Sequence, residues 1–157
     1  MKTPGNASYA DWARHFGKST LDPGLVAEFR AAGLTKVPVI RRDDVHESED
    51  IGALTVNVMD PSLFGNKGRL GQGVGILAGI AIHLGDYGDL GYAGPLPFSV
   101  DRGDTRKSLR KKLGRPDDSD DDECWDEWII DGLEVTAMYS DDFADIMTLT
   151  VFLPEEE

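Results

Sequence analysis

The sequence predicts an α+β fold, with one or more antiparallel sheets and helices packed on one face. Three observations predict it. Helix-capping residues open short amphipathic segments, alternating or β-branched runs indicate strands, and Gly, Pro or Asp turn signals separate those runs. A chain of 157 residues, of which 40% are hydrophobic, has the length and composition of a compact globular domain.

Two helices are predicted near the N-terminus. Ser8 can cap a helix over residues 8–16, in which the apolar side chains recur at helical spacing and share one face. A second helix is predicted over residues 23–32, because Asp22 suits the N-cap and a proline follows at the first helical position. Gly33 suits the C-terminal end of this helix.

Strands are predicted after these two helices. Residues 37–40 are short and β-branched, whereas residues 41–50 are charged and predict a turn or loop. Residues 54–58 alternate apolar and polar side chains, as a half-buried strand does. A glycine-rich loop over residues 65–73 lacks the residue order of a phosphate-binding loop. It leads into a long apolar strand over residues 74–84.

The order of elements then begins again. A short strand is predicted at residues 98–100 and a helix at residues 104–113, with Asp101 or Asp104 as its N-cap and Gly114 at its end. This repetition divides the chain into an N-terminal half, residues 1–94, and a C-terminal half, residues 95–157. The halves are either two tandem helix-plus-strands repeats, the first of them diverged, or unrelated, because the identities between them are few.

Three further strands complete the C-terminal half. An acidic loop precedes them, and the four segments are residues 117–123, 125–130, 133–139 and 146–153. Asp131 and Gly132 form a two-residue hairpin signal between the first two strands. Asp141 and Asp142 mark the turn before the last strand.

The negative charge of the chain is concentrated in its last quarter. Residues 1–116 contain 16 basic and 13 acidic residues, whereas residues 117–157 contain 16 acidic residues and neither Lys nor Arg. A one-sided field of this kind concerns partners and solubility rather than fold. It argues against binding to nucleic acid or to an anionic membrane through this region, and it favours a basic protein partner or simple solvation.

Composition points to a soluble, cytoplasmic protein without a cofactor or a metal. The single cysteine, Cys124, excludes an intrachain disulfide and fits a reducing compartment. The N-terminal segment lacks the apolar core of a secretory signal, and the most apolar stretch is too short to span a bilayer. The three histidines show no zinc-ligand spacing, and acidic neighbours should keep the Cys124 thiol protonated and unreactive.

The C-terminal half carries a recognisable order of motifs. It reads PLPFSV, then the helix DTRKSLRKKLG, the step GRP, the strands WDEWIIDG and LEVTAMYSDD, and finally IMTLTVFLP. This order, which covers residues 95–154, resembles a group of bacterial immunity proteins that are partners of polymorphic toxins. It is also similar to the helix-then-strands repeat of β-lactamase-inhibitor-protein-like domains. The resemblance implies binding rather than catalysis, and the first half lacks the Leu-Gly-x-Pro and WDxW motifs.

The candidate partner-binding residues are the acidic loop, the tryptophan-containing strand after it and the second acidic turn. They are Asp117, Asp118, Asp120, Asp121, Asp122, Glu123, Trp125, Asp126, Glu127, Trp128, Asp141 and Asp142. Such a surface could attract a basic toxin domain and occupy a cleft meant for nucleic acid. Solvation of a surface loop is the competing interpretation. Since Trp125 and Trp128 are three residues apart on a strand, only one of them can face the core.

Three alternatives remain open from the sequence. Asp118, Asp120 and Asp122 begin a calcium-loop spacing, but Glu123 occupies the position where that loop needs glycine. The basic helix 104–113 could bind an acid, although pairing with the acidic C-terminal region or solvation accounts for its charge. For the whole chain, a non-catalytic regulatory or structural interaction module is the alternative to an immunity protein. A small enzyme would need a pocket with convergent polar groups.

Overall fold

A computed structural model describes residues 8–65, 71–85 and 91–155. Strands in these ranges form one antiparallel sheet of seven. They are β1 His46–Ile51, β2 Leu54–Met59, β3 Ile76–His83, β4 Asp118–Asp120, β5 Trp125–Ile130, β6 Leu133–Tyr139 and β7 Ile146–Phe152. Their order across the sheet is β1-β2-β3-β7-β6-β5-β4. The predicted α+β class is confirmed.

The helices of the described chain pack their apolar side chains against one face of the sheet. They are α1 Tyr9–Ala13, α2 Pro23–Ala31 and α3 Arg106–Leu113. Trp12, Phe29 and Leu109, one from each helix, are fully buried in a cluster with inward-facing strand residues. Trp12 and Phe29 meet edge to face at 4.9 Å between ring centroids. None of the helices in the described ranges is long and apolar enough to cross a membrane.

The two predicted halves contribute to the same sheet. The N-terminal half supplies β1–β3 and the C-terminal half supplies β4–β7, and they meet where β3 pairs with β7 from Gly79↔Phe152 to His83↔Thr148. The main hydrophobic cluster also combines residues of both halves. Whether the halves descend from a duplication stays a prediction. Residues 66–70, within the predicted glycine-rich loop, lie outside the described ranges.

The structure corrects two predicted segments of the N-terminal half. Residues 37–40 are not a strand: Pro38 has no N–H to donate to a neighbouring strand, and Val39 is 58% exposed. The charged segment 41–50, predicted as a loop, instead contains most of β1. This strand lies at the edge of the sheet, where charged side chains remain solvated and discourage pairing with other molecules.

Residues 98–100 are a turn rather than the predicted strand. Phe98 and Ser99 have φ values of 60° and 63°, in the left-handed region, so the backbone reverses instead of extending. Val100 N donates to Pro97 O at 3.2 Å, which closes this turn. These residues therefore contribute Val100 and, partly buried, Phe98 to the core without forming a strand.

The N-cap of α3 is Thr105 and neither of the two predicted aspartates. Thr105 Oγ1 accepts from Ser108 N at 3.1 Å, and Ser108 Oγ accepts from Thr105 N at 2.8 Å, which makes a reciprocal capping box. Asp104 is instead 5% exposed and accepts from Asp101 N and from Lys112 Nζ. Gly114 ends the helix with φ 89°, as predicted.

The connection between β5 and β6 is the predicted two-residue hairpin turn. Asp131 and Gly132 have φ values of 53° and 79°. Two successive positive φ values define the type I′ turn, whose twist matches that of antiparallel strands. The register Trp128↔Val135 that follows places both side chains on the helix-covered face.

The opposite side of the sheet is called here the helix-free face, because none of the described α-helices packs on it. Its side chains on β5 and β6 are Trp125, Glu127, Ile129, Glu134, Thr136 and Met138, which alternate with inward-facing residues. A 3-10 turn, Pro61–Leu63, covers one corner of this face through a small second cluster of Phe64, Ile76 and Ala78.

Candidate functional site

Two turns of the C-terminal half lie side by side at one end of the sheet. Residues 120–124 connect β4 to β5 and residues 140–145 connect β6 to β7. Tyr139 N donates to Cys124 O at 2.8 Å, and this hydrogen bond joins the end of the first turn to the residue before the second. The helix α3 begins beside them, since Arg106 N donates to Phe143 O at 3.2 Å. These two turns are called the acidic end.

Seven carboxylates lie in the acidic end. They are Asp120, Asp121, Asp122, Glu123, Asp141, Asp142 and Asp145. In the described ranges, only Asp121 of these seven forms an ion pair, with Arg106. All but the half-buried Asp120 are exposed to solvent. The predicted acidic loop and the predicted second acidic turn are thus brought together, and most of their charge is left uncompensated.

The Cys124 thiol lies close to these carboxylates. Desolvation raises the pKa of Cys124, and the nearby carboxylates of Asp141 and Glu123 raise it further. Because the thiolate is the nucleophilic form, this environment opposes nucleophilic catalysis at Cys124. Carboxylates from both turns therefore act on one thiol.

Two of the acidic-loop side chains hold the turn itself. Asp120 Oδ1 accepts from the backbone N–H groups of Asp122 and Glu123, at 2.9 and 3.0 Å. Asp121 pairs with Arg106, whose guanidinium also lies 4.3 Å from the centre of the Phe143 ring. In the second turn, Asp142 Oδ1 accepts from Ser140 Oγ and Ala144 N. The four carboxylates without such a structural task are Asp122, Glu123, Asp141 and Asp145, and these are available to a partner.

Asp126 is buried and does not belong to the surface. Its side chain is 0% exposed and accepts two hydrogen bonds from Arg110, at 2.8 and 2.5 Å, and one from the Tyr139 hydroxyl at 2.9 Å. Arg106 Nε lies 3.6 Å from Asp126 Oδ2. Burial alone would raise the pKa of Asp126, but the hydrogen bonds and positive charges of these partners outweigh burial and lower it.

The buried Asp126 network lies next to the acidic end. It ties α3 to β5 and β6, directly beneath the two acidic turns. Basic side chains of α3 form ion pairs within the protein. Arg106 pairs with Asp121, Arg110 pairs with Asp126, and Lys112 pairs with Asp101 and Asp104. Internal pairing, one of the interpretations of this helix, therefore accounts for these three cations.

The two tryptophans divide between the faces as their spacing requires. Trp128 is 2% exposed on the helix-covered face, and its indole N–H donates to Gly114 O at 3.0 Å. Trp125 is half-buried on the helix-free face, opposite the exposed Met138. Trp128 therefore belongs to the core on the helix-covered face, whereas Trp125 is accessible beside the acidic end.

The remaining predicted residues lie along the edge strand. Asp118 and Glu127 are directly opposite each other on β4 and β5, on the helix-free face. Asp117 Oδ2 accepts from Ile129 N at 2.8 Å, so this carboxylate extends the pairing of the edge. The charged β4 corrects the predicted acidic loop over residues 117–123, because Asp118–Asp120 pair with β5.

Sequence reasoning missed the apolar side chains that accompany these acids. Ile129 is 53% exposed and Met138 42% exposed, and both lie on the helix-free face. Their signal was present in the alternation of β5 and β6, which puts Trp125, Glu127 and Ile129 on the same face. The surface next to the acidic end is therefore mixed apolar and acidic, as at the centre and rim of protein interfaces.

A second polar cluster lies between α1 and α2, in an open cleft of about 720 Å³. His15 and Glu28 are buried there, with 3.3 Å between His15 Nε2 and Glu28 Oε1. The same Glu28 oxygen accepts from Arg14 at 2.7 Å, and Asp22 caps α2. Glu28 thus joins α2 to the residues that follow α1, whereas Asp22 caps α2 itself. Among residues 8–65, 71–85 and 91–155, no group of three His, Cys, Asp or Glu is placed to hold a metal ion.

Comparison of this chain with protein-family models, with curated proteins and with solved structures gives no match in any of the three. The resemblance of the C-terminal half to immunity proteins rests on its motifs alone.

Proposed function

We propose that this protein is a cytoplasmic immunity protein that binds a basic toxin domain and occludes it. The toxin would be a nuclease or another enzyme that acts in the cytoplasm. In this proposal the acidic end enters the positively charged cleft that the toxin uses for its own substrate. The protein itself performs no catalysis, and neither a cofactor nor a metal takes part.

The observation that supports this proposal is the uncompensated charge of the acidic end. Asp122, Glu123 and Asp141 are exposed and have no ion-pair partner among the described residues. A solvated loop would have no need of a fixed shape, yet these two turns are held by backbone hydrogen bonds and by the Asp126 network. A rigid, one-signed surface steers a partner of opposite charge and loses little conformational entropy on binding.

A regulatory or structural interaction module is the second candidate function. The exposed Ile129 and Met138 favour it, because apolar side chains on a sheet face also suit a permanent assembly. In that case the acidic end would serve solubility alone. The two candidates differ in what a reversal of its charge would do.

The test is capture of the partner from the protein's own cells. The tagged wild-type chain should retain a basic protein that arrests growth when expressed alone and is harmless when co-expressed with this chain. The variant Asp122→Lys/Glu123→Lys/Asp141→Lys should capture at least about tenfold less of that partner than wild type does at low ionic strength, because opposite charges steer association. Quantitative mass spectrometry of the retained protein measures the loss.

The matched control is Asp43→Lys/Asp44→Lys/Glu47→Lys, which makes the same change in net charge at the opposite edge of the sheet. This control should retain the partner within about twofold of wild type, since its charges lie far from the acidic end relative to the screening length. Equal capture by both variants would refute the role of the acidic end. A captured partner that is harmless alone would instead support the interaction module.

A further inference from the structure

A cleft of about 390 Å³ opens on the helix-free face, between the 3-10 turn and the last strands of the C-terminal half. Its walls combine four apolar side chains with two carboxylates. They are Met59, Leu63, Phe152 and Leu153 together with Glu134 and Glu155. The cleft lies at the other end of β6 from the acidic end, about 20 Å away at 3.4 Å per residue.

The apolar floor of the cleft is fixed by its packing. The ring of Phe152 lies directly against the backbone of Gly79 on the neighbouring strand, in the space that a side chain at Gly79 would occupy. Leu63 and Leu153 pack on the buried cluster that contains Phe64 and Ile76. The cleft is therefore formed before any ligand arrives, which is typical of small binding sites.

The two carboxylates of the cleft, Glu134 and Glu155, repel each other and have no described cation as an ion-pair partner. Burial raises the pKa of Glu134, and the negative charges of Glu127 and Glu155 raise it further. In the described parts of the chain, no Lys or Arg lies within ion-pair distance of Glu134 or Glu155. A cation supplied from outside would relieve this repulsion, and the apolar floor would hold the carbon chain that carries it.

We propose that this cleft binds an arginine side chain of a basic protein segment, with the guanidinium between Glu134 and Glu155 and the aliphatic stem on Phe152 and Leu153. Arginine fits better than lysine because its planar cation is more weakly hydrated, pairs with carboxylates through two hydrogen bonds and stacks on aromatic rings. The occupant is chosen by charge complementarity with the cleft and with the rest of the C-terminal half.

The proposal deepens the proposed function, on which it rests for the protein that supplies the arginine. Successive cross-strand pairs, Trp125↔Met138, Glu127↔Thr136 and Ile129↔Glu134, connect the acidic end to the cleft along the helix-free face. A partner steered by the acidic end would therefore meet the cleft along the same surface. A standard interface of about 800 Å² per partner is large enough to cover both.

The site can be tested without the partner. The probe is N-acetyl-arginine N-methylamide, titrated at low ionic strength while the backbone amide shifts of Phe152, Leu153 and Glu134 are followed by NMR. We expect saturable shifts at these residues with a Kd on the order of 1 mM, as befits a single small ligand. The citrulline analogue, which has the same shape without the charge, should bind at least about tenfold more weakly.

Matched variants separate the site from general electrostatics. Glu134→Gln/Glu155→Gln should weaken the arginine probe by about tenfold or more. The control Glu47→Gln/Glu49→Gln should leave it within about twofold, because these side chains lie on β1 on the helix-covered face, away from the cleft. Thermal unfolding of Glu134→Gln should show equal or higher stability, because the ionised carboxylate is disfavoured at this position. Equal binding of the arginine and citrulline probes, or shifts that do not map to the cleft, would overturn the proposal.

Failure of this site and failure of the proposed function give different results. If the captured toxin binds Glu134→Gln/Glu155→Gln as tightly as wild type and the probe does not bind, the cleft is refuted while the immunity function stands. If the probe binds as expected and capture yields no basic toxin, the arginine site stands while the immunity function is refuted.

Discussion

Replacement of Asp126 by Asn is expected to lower the free energy of unfolding by about 3–5 kcal/mol, which is the usual cost of removing one partner of a buried ion pair. Asp126 is fully buried and accepts three hydrogen bonds, from Arg110 and from Tyr139. An amide keeps the shape of the side chain but removes the charge that both arginines of α3 require. Urea unfolding of wild type and variant at neutral pH measures the difference.

The pH dependence and an exposed control make this expectation specific. The pKa of Asp126 is lowered in the folded state, so its contribution is complete above the unfolded value of about 4 and is lost as pH falls through the folded value. The difference between variant and wild type should therefore shrink below about pH 4. Asp121→Asn, which breaks an exposed pair with Arg106, should cost less than about 1 kcal/mol. Similar losses for both variants would contradict a buried network at Asp126.

Replacement of Trp128 by Ala is expected to lower the free energy of unfolding by about 3–5 kcal/mol. Trp128 is 2% exposed and lies in the main hydrophobic cluster between the sheet and α3. Its truncation leaves a cavity and also leaves Gly114 O, at the end of α3, without the indole donor. Chemical denaturation followed by circular dichroism measures this loss.

Trp125 is the matched control for Trp128, because it lies three residues away on the same strand and on the opposite face. Trp125→Ala should cost only about 1–2 kcal/mol, since its side chain is half-buried and its removal exposes rather than empties a site. The partner-binding prediction reverses this order: Trp125→Ala should weaken capture of the toxin, because exposed aromatic residues are common interface anchors. A larger loss of stability for Trp125 than for Trp128 would contradict the assignment of the two faces.

The strands of the C-terminal half could be predicted closely from the sequence because each has one buried face. β5 and β6 have the predicted bounds, and the Asp131 and Gly132 turn between them has the predicted positive φ values. In these strands, local alternation and turn chemistry favour the same structure as the packing does. The helices could be predicted from their capping residues, although the N-cap of α3 is Thr105 and not Asp101 or Asp104.

The two edge strands could not be predicted from pattern. β1 and β4 are charged and largely solvated, so they lack the apolar alternation by which strands are recognised. Their pairing depends on the neighbouring strand, which offers a free backbone edge to any extended segment that a turn brings back to it. The β-branched residues 37–40 show the reverse case, in which the composition of a strand occurs without a partner strand.

The sequence predicts the negative charge of the candidate site but not the three-dimensional arrangement of its residues. The sequence shows that the acids at residues 117–123 and 141–142 are numerous, but their meeting depends on the register of β5 with β6. Asp126 and Trp128, predicted as partner-binding residues, are buried because side chains alternate along β5 and these two share the inward face. The arginine cleft at Glu134 could not be foreseen at all, since it joins residues from four segments.

The salt dependence of the association rate constant distinguishes steering of a basic partner by the acidic end from simple solvation of that surface. The captured partner and the purified chain are mixed in a stopped-flow instrument at ionic strengths from about 0.01 to 0.3 M, over which the screening length falls severalfold. We expect the wild-type association rate to fall by at least about tenfold while dissociation changes little, and Asp122→Lys/Glu123→Lys/Asp141→Lys to abolish this dependence. An association rate that is independent of salt, and equal in wild type and variant, would refute steering by the acidic end.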